Sequence, residues 1–369
     1  MSRNFRENLI HLLKTRQNRA PVWTADITYW MAAQTPETRK RLNIDNEDGT
    51  LEFHRQRLCM PYYWYGNFWA GKREYTDVDV TREKEGEEVT TTWTCPSGSL
   101  TQKNKRVQSD GSSAVTKHAV ESESDLRVLI DLLERSSLQP SAATDYPERE
   151  KKWADYHGIP ALGLPRSPLP AFFVEWAGVQ SGIYLLMDQP DLCARALDIF
   201  REQEQAILDT VCALQPALVH FPDNLTSEVY TPFFEPHMRT VYEHRLEKLH
   251  NAGIHAAVHL DGTVRGMLPK LADVGFDAVE ALTPEPAGDV TVEEMRGLAA
   301  SDNVILWGGV PGAMFAPPYT HKDMESHVRK TLECWKDTPF VLGVADQVPP
   351  AGDIDMVKMI GEICAEETS

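Results

Sequence analysis

Short apolar runs alternate with longer amphipathic segments from residue 122 onward. The apolar runs predict buried strands, and the segments with apolar residues three and four positions apart predict helices. Strands are predicted at 160–164, 216–221, 254–260, 278–282, 304–309 and 340–345. Helices are predicted at 126–138, 171–186, 190–214, 233–252, 264–274, 292–300, 321–336 and 353–365. Strands that alternate with helices in this way predict βαβ units around a parallel sheet.

The first third of the chain has a different pattern. Residues 4–15 carry apolar positions at helical spacing and predict an N-terminal helix. Residues 21–30 then predict a first buried strand with Asp26 near its end. An aromatic-rich stretch follows at 51–69, which is typical of a core or of a wall for a flat apolar substrate.

Polar and apolar residues alternate between 75 and 107, a segment rich in Thr and Val with turn residues at 85–86 and 96–98. This pattern predicts an antiparallel hairpin or a small sheet. No G-x-G-x-x-G follows a strand, so a dinucleotide-binding fold has little support. We therefore predict one α/β domain over residues 1–369. It would be a (β/α)8 TIM barrel with an N-terminal helix and a β-hairpin elaboration at 72–107.

Polar side chains stand where the predicted strands end. They are Asp26, His220, Asp223, Asn224, His259, Asp261, Glu280 and Asp346. The carboxyl ends of the strands in a parallel barrel form one face, and that face holds the active site. We therefore expect these side chains to share one mouth, where charge at the edge of a core must be paired or metal-bound.

The segment 254–263, IHAAVHLDGT, places an imidazole and a carboxylate two residues apart. In a strand, His259 and Asp261 would point to the same side. Together with Asp346, and with Glu280 as a fourth ligand, they would suit zinc or a harder divalent metal. Two alternatives stay open from the residues alone. The pair could act as acid and base without metal, or these could simply be solvated residues at a strand end.

Composition narrows the partners. The chain has 37 Lys and Arg against 55 Asp and Glu, a net charge of −18, so nucleic acid and anionic membranes are not expected as partners. The six cysteines are scattered without a C-x-x-C pair, which predicts reduced thiols. No signal-peptide pattern or membrane-length apolar run is seen. We expect a cytoplasmic protein.

Several of these segments together resemble the uroporphyrinogen decarboxylase superfamily, most closely its corrinoid-dependent methyltransferase branch. The resemblance is carried by A-L-V-H-F-P-D (217–223), H-x-D-G (259–262), G-F-D-A-V-E-A-L-T-P (275–284), W-G-G-V-P (307–311) and G-V-A-D-Q-V-P (343–349), with R-E-N-L (6–9), P-V-W (21–23) and the hairpin turn at 94–101 fitting as well. It covers most of the chain. What it implies is a (β/α)8 barrel with its site at the carboxyl-terminal mouth.

The resemblance also implies a reaction and partners. A methyl group would pass between a small methoxylated or methylated molecule and a corrinoid carried by a partner protein, as in anaerobic O-demethylation, and a homodimer is an expectation too. The expected catalytic residues are His259, Asp261 and Asp346, and the expected ligands of zinc or another divalent metal are His259, Asp261, Glu280 and Asp346. The expected substrate-binding residues are Asp26, His220, Asn224 and Trp64.

The chain departs from the family pattern at two places. Decarboxylases of the family carry an arginine-rich R-Q-A-G-R segment after the first strand, whereas this chain has TADITYWMAAQ at 24–34. A porphyrinogen rich in carboxylates is therefore not the expected substrate. Thiol-methylating members bind zinc through H-x-C and a later cysteine, and here the matching positions are His259, Asp261 and Asp346. The harder ligands favour an oxygen or nitrogen methyl donor, or a non-thiol acceptor.

Two other functions remain as alternatives. One is a decarboxylase or other lyase of a small substrate, with Asp26 and His259 as acid and base. The other is a barrel without catalytic activity that binds a ligand or a partner.

Overall fold

The computed structural model describes residues 4–106 and 113–367 of the chain. Its helices and strands, in chain order, are α1 (Phe5–Thr15), β1 (Trp23–Thr24), α2 (Thr28–Ala33), α3 (Pro36–Leu42), α4 (Glu47–Gln56), β2 (Gly71–Tyr75), β3 (Asp79–Glu85), β4 (Glu88–Cys95), β5 (Gly98–Arg106), β6 (Ser113–Lys117), α5 (Glu123–Glu134), β7 (Ser136–Pro140), α6 (Tyr146–Ala154), α7 (Pro168–Ala171), α8 (Gly178–Asp188), α9 (Pro190–Leu214), β8 (Leu218–Leu225), α10 (Ser227–Tyr230), α11 (Arg239–Asn251), β9 (His255–Leu260), α12 (Leu268–Val274), β10 (Ala278–Leu282), α13 (Val292–Ala299), β11 (Ile305–Pro311), α14 (His321–Trp335), β12 (Phe340–Ala345) and α15 (Asp355–Glu366). Short 3₁₀ turns occur at Tyr65–Asn67, Thr231–Phe233 and Gly312–Phe315, and π-helical turns at Phe172–Ala177 and Phe234–Met238.

Six strands form a parallel sheet in the order β1-β12-β11-β10-β9-β8. Both faces of β10, β11 and β12 are buried throughout, which is why these strands appear in the sequence as continuous apolar runs. The predicted α/β fold with a parallel sheet is confirmed, and the strands predicted at 254–260, 278–282, 304–309 and 340–345 lie in it.

Backbone hydrogen bonds also connect the two edge strands, β1 and β8, through the segments 60–62 and 159–164. In order from β1 to β8, they run from Met60 N to Trp23 O (2.8 Å), from Ala161 N to Tyr62 O (2.8 Å) and from His220 N to Leu162 O (2.9 Å). The strand predicted at 160–164 is reduced to an isolated bridge at Gly163. A proline at each end, Pro160 and Pro165, lacks the N–H that a longer ladder would need.

Three predicted elements differ in extent. The first strand ends at Thr24 rather than residue 30, because the Asp26 carboxylate accepts from Thr28 N (2.8 Å) at the start of α2. The helix predicted at 126–138 ends at Glu134, and β7 follows it. The helix predicted at 233–252 becomes regular only at Arg239, after a wider turn that contains Pro236, which has no N–H to donate.

The segment expected to form a hairpin contains β3, β4 and β5, which pair antiparallel and continue with β6 as a four-stranded sheet. Val107, the last residue of that segment, lies outside the described residues. The strand β2 pairs instead with β7, also antiparallel.

The apolar side chains of α1 pack with the amino-terminal ends of the parallel strands. Phe5, Leu9 and Leu12 share one buried cluster with Ala257 and Ile305. The helix therefore covers the end of the sheet opposite to the strand ends that carry the predicted site. Within the described residues, no helix is long and apolar enough to cross a membrane.

Candidate active site

His259 and Glu280 form the centre of the cluster at the carboxyl ends of the strands. The two residues face each other across β9 and β10, and His259 Nδ1 lies 2.7 Å from Glu280 Oε2. Burial would raise the pKa of Glu280, but the neighbouring His259 holds it below its usual value. Burial opposes the charged ring of His259, but the charge of Glu280 outweighs it and raises the pKa of His259 well above its usual value. In this structure the two residues form a buried ion pair.

The second ring nitrogen of His259 is directed to Asp261, with Nε2 3.6 Å from Asp261 Oδ2. Asp346 joins them directly after β12. Its backbone φ is +64°, a conformation that residues other than Gly seldom adopt. One donor atom from each of these three residues lies within 4.8 Å of the other two. Asp346 is exposed, but partial desolvation by the surrounding protein raises the pKa of its carboxyl; the charge of His259 opposes this rise, and the charges of Asp261 and Glu280 add to it.

His220 approaches the same centre from β8. Its Nε2 lies 3.8 Å from Glu280 Oε2, and its Nδ1 lies 3.4 Å from the Tyr62 hydroxyl. Burial lowers the pKa of His220 to about 4, so the ring is neutral near neutral pH. His220, His259 and Glu280 form a second group whose donor atoms lie close enough to hold an ion.

Two tyrosines that the sequence analysis did not single out complete the carboxylate contacts. Tyr63 donates its hydroxyl to Glu280 Oε1, and Tyr65 donates to Asp26 Oδ2 at 2.9 Å. Their rings stack with centroids 5.9 Å apart. A signal was present in the run P-Y-Y-W-Y at 61–65, where residues two apart reach the same side, but Trp64 was the aromatic residue named.

Asp26 is 3% exposed and lies beside the mouth. Burial raises the pKa of its carboxyl to about 6, against hydrogen bonds from Thr28 and Tyr65 that lower it, and the charge of Asp346 adds to the rise. Asp26 can therefore hold or release a proton near neutral pH.

Not every predicted residue joins this cluster. Asp223 is fully buried, where it accepts from Ser167 N (2.8 Å), Ser167 Oγ (2.7 Å) and Tyr242 Oη (2.8 Å), so its expected place at the mouth is wrong. Asn224 is exposed and Trp64 is partly buried. The hydrogen bonds of the described residues do not link either side chain to the cluster, and their roles in substrate binding stay predictions.

Fold and site together define an α/β protein with a polar cluster at the carboxyl ends of its parallel strands. The sequence profile of the uroporphyrinogen decarboxylase family matches residues 181–367, just over half of the chain, and the chain belongs to this family.

Among solved structures, a methyltransferase from Methanosarcina mazei matches with a TM-score of 0.60 at 15% identity, over 99% of this chain and 99% of that chain. A B12-independent methionine synthase from Shewanella sp. W3-18-1 matches with a TM-score of 0.47 at 13% identity, over 94% of this chain and 98% of that one. No curated protein sequence matches the chain. At this identity the likeness to the methyltransferase shows a shared fold.

Proposed function

We propose that this protein is a methyltransferase that moves a methyl group between a small methoxylated or methylated compound and a corrinoid carried by a partner protein. The observation that carries the proposal is the group of His259, Asp261 and Asp346 at the strand ends, with Glu280 behind the histidine. Membership of the family and the shared fold with a methyltransferase support it.

The proposed scaffold is a closed barrel of eight parallel members. The segments 60–62 and 159–164 would supply the two members that the six-stranded sheet lacks, because their backbone hydrogen bonds run from β1 to β8. In such a barrel the carboxyl-terminal mouth is the usual place of the active site, and the cluster lies at those strand ends.

The donor set fits a divalent cation. One imidazole nitrogen and two carboxylates suit zinc or a harder metal. We place Glu280 behind His259 rather than on the ion, because its two oxygens already face His259 Nδ1 and the Tyr63 hydroxyl. A carboxylate in that position fixes the ring and leaves Nε2 for the metal. When bound, the cation would act as a Lewis acid on the oxygen or nitrogen of the methyl donor.

The remaining residues would bind the substrate and supply a proton. When the bond between oxygen and the methyl carbon breaks, the electron pair stays on oxygen, and an alkoxide or phenoxide leaves poorly unless it is protonated or metal-bound. Asp26 would deliver that proton, since its pKa of about 6 keeps part of the population protonated near neutral pH. The stacked rings of Tyr63 and Tyr65 would hold a flat substrate against the mouth.

The test is methyl transfer with purified components. The chain is mixed with a reduced corrinoid protein and a panel of small methoxylated and methylated compounds, and methylation is followed in the absorption spectrum of the corrinoid. We expect transfer from at least one compound, reduced about a hundredfold or more in Asp261→Ala. Asp198→Ala, an exposed ion-pair partner of Arg201 on α9, should retain the wild-type rate. Absence of transfer across a broad panel would count against the proposal.

A decarboxylase or other lyase of a small substrate is the second candidate. The buried Asp26, held by Tyr65 and titrating near pH 6, favours it, because such a carboxyl group suits proton transfer to a carbanion. This reaction would release carbon dioxide without any corrinoid protein, which separates the two candidates in one assay.

A further inference from the structure

A cavity of about 150 Å³ lies outside the candidate active site, between β2, β7, α7 and α9. Two arginines, Arg73 and Arg166, face it together with apolar side chains that include Trp69, Leu138 and Phe200. We call it the arginine pocket. It shares no lining residue with the His259 cluster.

The guanidinium groups of the arginine pocket are incompletely matched by carboxylates. Arg73 donates to the neutral oxygens of Ser136 (2.8 Å) and Gln203, and no carboxylate of the described residues lies within ion-pair distance of it. Arg166 has a single long contact, 3.3 Å from Nη1 to Glu175 Oε1. Its buried Nε has no hydrogen-bond partner among the described residues.

Glu204 also lines the arginine pocket but does not neutralise either arginine there. Both of its oxygens accept from the buried Arg245, at 2.9 Å and 2.7 Å. That leaves Glu175, which is partly exposed, as the one lining carboxylate free to compensate two cations. The arginine pocket therefore has a net positive charge and N–H donors that could bind an anion.

The loop that carries Arg166 is held on both sides. Pro165 O accepts from Arg245 Nη2 (2.8 Å), and Ser167 donates to Asp223 through its backbone N–H (2.8 Å) and its hydroxyl (2.7 Å). Ser167, Asp223 and Arg245 are buried, and none of them has a part in the proposed reaction. They fix the position of the Arg166 backbone before any ligand arrives, which lowers the entropy lost on binding.

The apolar wall defines the rest of the ligand. The guanidinium of Arg166 lies 5.0 Å from the centre of the Trp69 ring, and that of Arg73 lies 5.6 Å from the centre of the Phe200 ring. A cavity of this volume accommodates a single six-membered ring. We propose that the arginine pocket binds a small organic acid, in which one carboxylate meets the two arginines and a single ring or equally compact apolar group packs on Trp69 and Phe200.

The test measures binding of benzoate to the full chain by isothermal titration calorimetry, with benzamide as its uncharged counterpart. We expect benzoate to bind at least about tenfold more tightly than benzamide, since charged hydrogen bonds are the stronger ones. Arg166→Gln and Arg73→Gln should each weaken benzoate about tenfold or more. Arg195→Gln, an exposed arginine of α9 paired with Glu134, is the matched control and should bind benzoate as wild type does.

A volume variant separates the arginine pocket from any other anion site. Ala171→Leu would fill the cavity that Ala171 lines while leaving both arginines in place. It should abolish benzoate binding and leave the His259 cluster unchanged. Thermal unfolding confirms that each variant is folded. Equal affinity for benzamide and benzoate in the wild type overturns the proposal, as does full benzoate affinity in Ala171→Leu or in both arginine variants.

Discussion

One ring nitrogen of His259, Nδ1, is held by Glu280, and this decides what its neighbours can do. Glu280 takes Nδ1 at 2.7 Å, so Nε2 is the atom left for a metal or a substrate beside Asp261 and Asp346. Removing Asp261 would take away one oxygen ligand of the proposed metal while leaving this orientation of the ring intact. The variant therefore tests the ion itself rather than the placement of the histidine.

Metal content gives the prediction at this scale. We expect one divalent ion per chain in the wild type by inductively coupled plasma mass spectrometry, and its loss in Asp261→Ala, because a site of three protein ligands loses a third of its donors. Glu280→Gln should lower metal affinity about 10- to 100-fold, as expected for a residue that orients a ligand. Metal-free protein in every preparation would instead assign His259, Asp261 and Asp346 to acid–base and substrate-binding work.

The sequence predicts those site residues that belong to a regular strand pattern, and it does not predict those that are placed by contacts between distant segments. His259 and Asp261 could be predicted because they alternate at the end of the apolar strand β9, and Glu280 because it is the one charged residue within the apolar strand β10. The spacing of Tyr63 and Tyr65 places them on one side, but it does not reveal their partners, because their contacts with Glu280 and Asp26 span 217 and 39 residues of chain. Asp223 was misplaced because its partners, Ser167 and Tyr242, come from other elements.

At the scale of elements, the start of β10 is tied to its neighbours by one buried carboxylate. Asp277 accepts from His250 Nε2 (2.9 Å), His255 Nδ1 (2.9 Å) and Ala256 N (2.8 Å), and it also pairs with Arg16 after α1. Burial alone would raise the pKa of Asp277, but the hydrogen bonds from His250 and His255 hold it well below its usual range. The hydrogen bond from His250 to Asp277 raises the pKa of His250.

The sign of the pH dependence follows from these two shifts. Because the pKa of Asp277 is lowered on folding, its stabilisation is present above about pH 4 and is lost as pH falls towards the folded value. Because the pKa of His250 is raised, its contribution is complete below about pH 6.5 and is lost as pH rises through the folded value. The joint contribution of Asp277 and His250 to stability is therefore greatest between about pH 4 and about pH 6.5.

Asp277→Asn is the variant that tests this carboxylate. We expect it to lower the free energy of unfolding by about 2–4 kcal/mol between pH 5 and 6, since the charged partners lose the buried negative charge and one of its two acceptor oxygens. The loss should shrink at lower and at higher pH. Urea unfolding across the pH range measures it, with Asp273→Asn as control, because Asp273 is largely exposed and pairs with Arg239 at the surface. A difference from wild type that is constant with pH would contradict the assignment.

Among the elements, those with long apolar runs were predicted well and those held by isolated bonds were not. The strands β9 to β12 are buried and pair over several residues, so their composition alone marks them. The segments 60–62 and 159–164 pair only through a few hydrogen bonds and isolated bridges, so the strand predicted at 160–164 is shorter in the structure and 60–62 was not predicted as a strand. The length of β1 was overestimated because the apolar pattern of 21–30 does not show where the strand ends. In the structure it ends before Asp26, whose carboxylate accepts from Thr28 N at the start of α2.

For the molecule as a whole, the junction between the six-stranded sheet and the two bridging segments lies at Gly163. This residue bridges both Trp69 and His220, so it joins the aromatic segment to the sheet. A Cβ at Gly163 would overlap the ring of Phe68, which is buried and stands 5.7 Å from the ring of His220. The absence of a side chain at Gly163 leaves room for the Phe68 ring, which thereby packs close to His220.

Gly163→Ala tests whether this junction holds the two parts together. We expect the free energy of unfolding to fall by about 1–3 kcal/mol, because the added methyl group overlaps the buried ring of Phe68, which must shift. Gly297→Ala is the matched control: this glycine lies in α13 with no atom within 4 Å of an added Cβ, so the change should be neutral or stabilise by about 0.5–1 kcal/mol. Urea unfolding followed by tryptophan fluorescence measures both. Equal stability of Gly163→Ala and wild type would mean that Phe68 can move aside without loss, and the packing of the aromatic segment on the sheet would then not depend on this glycine.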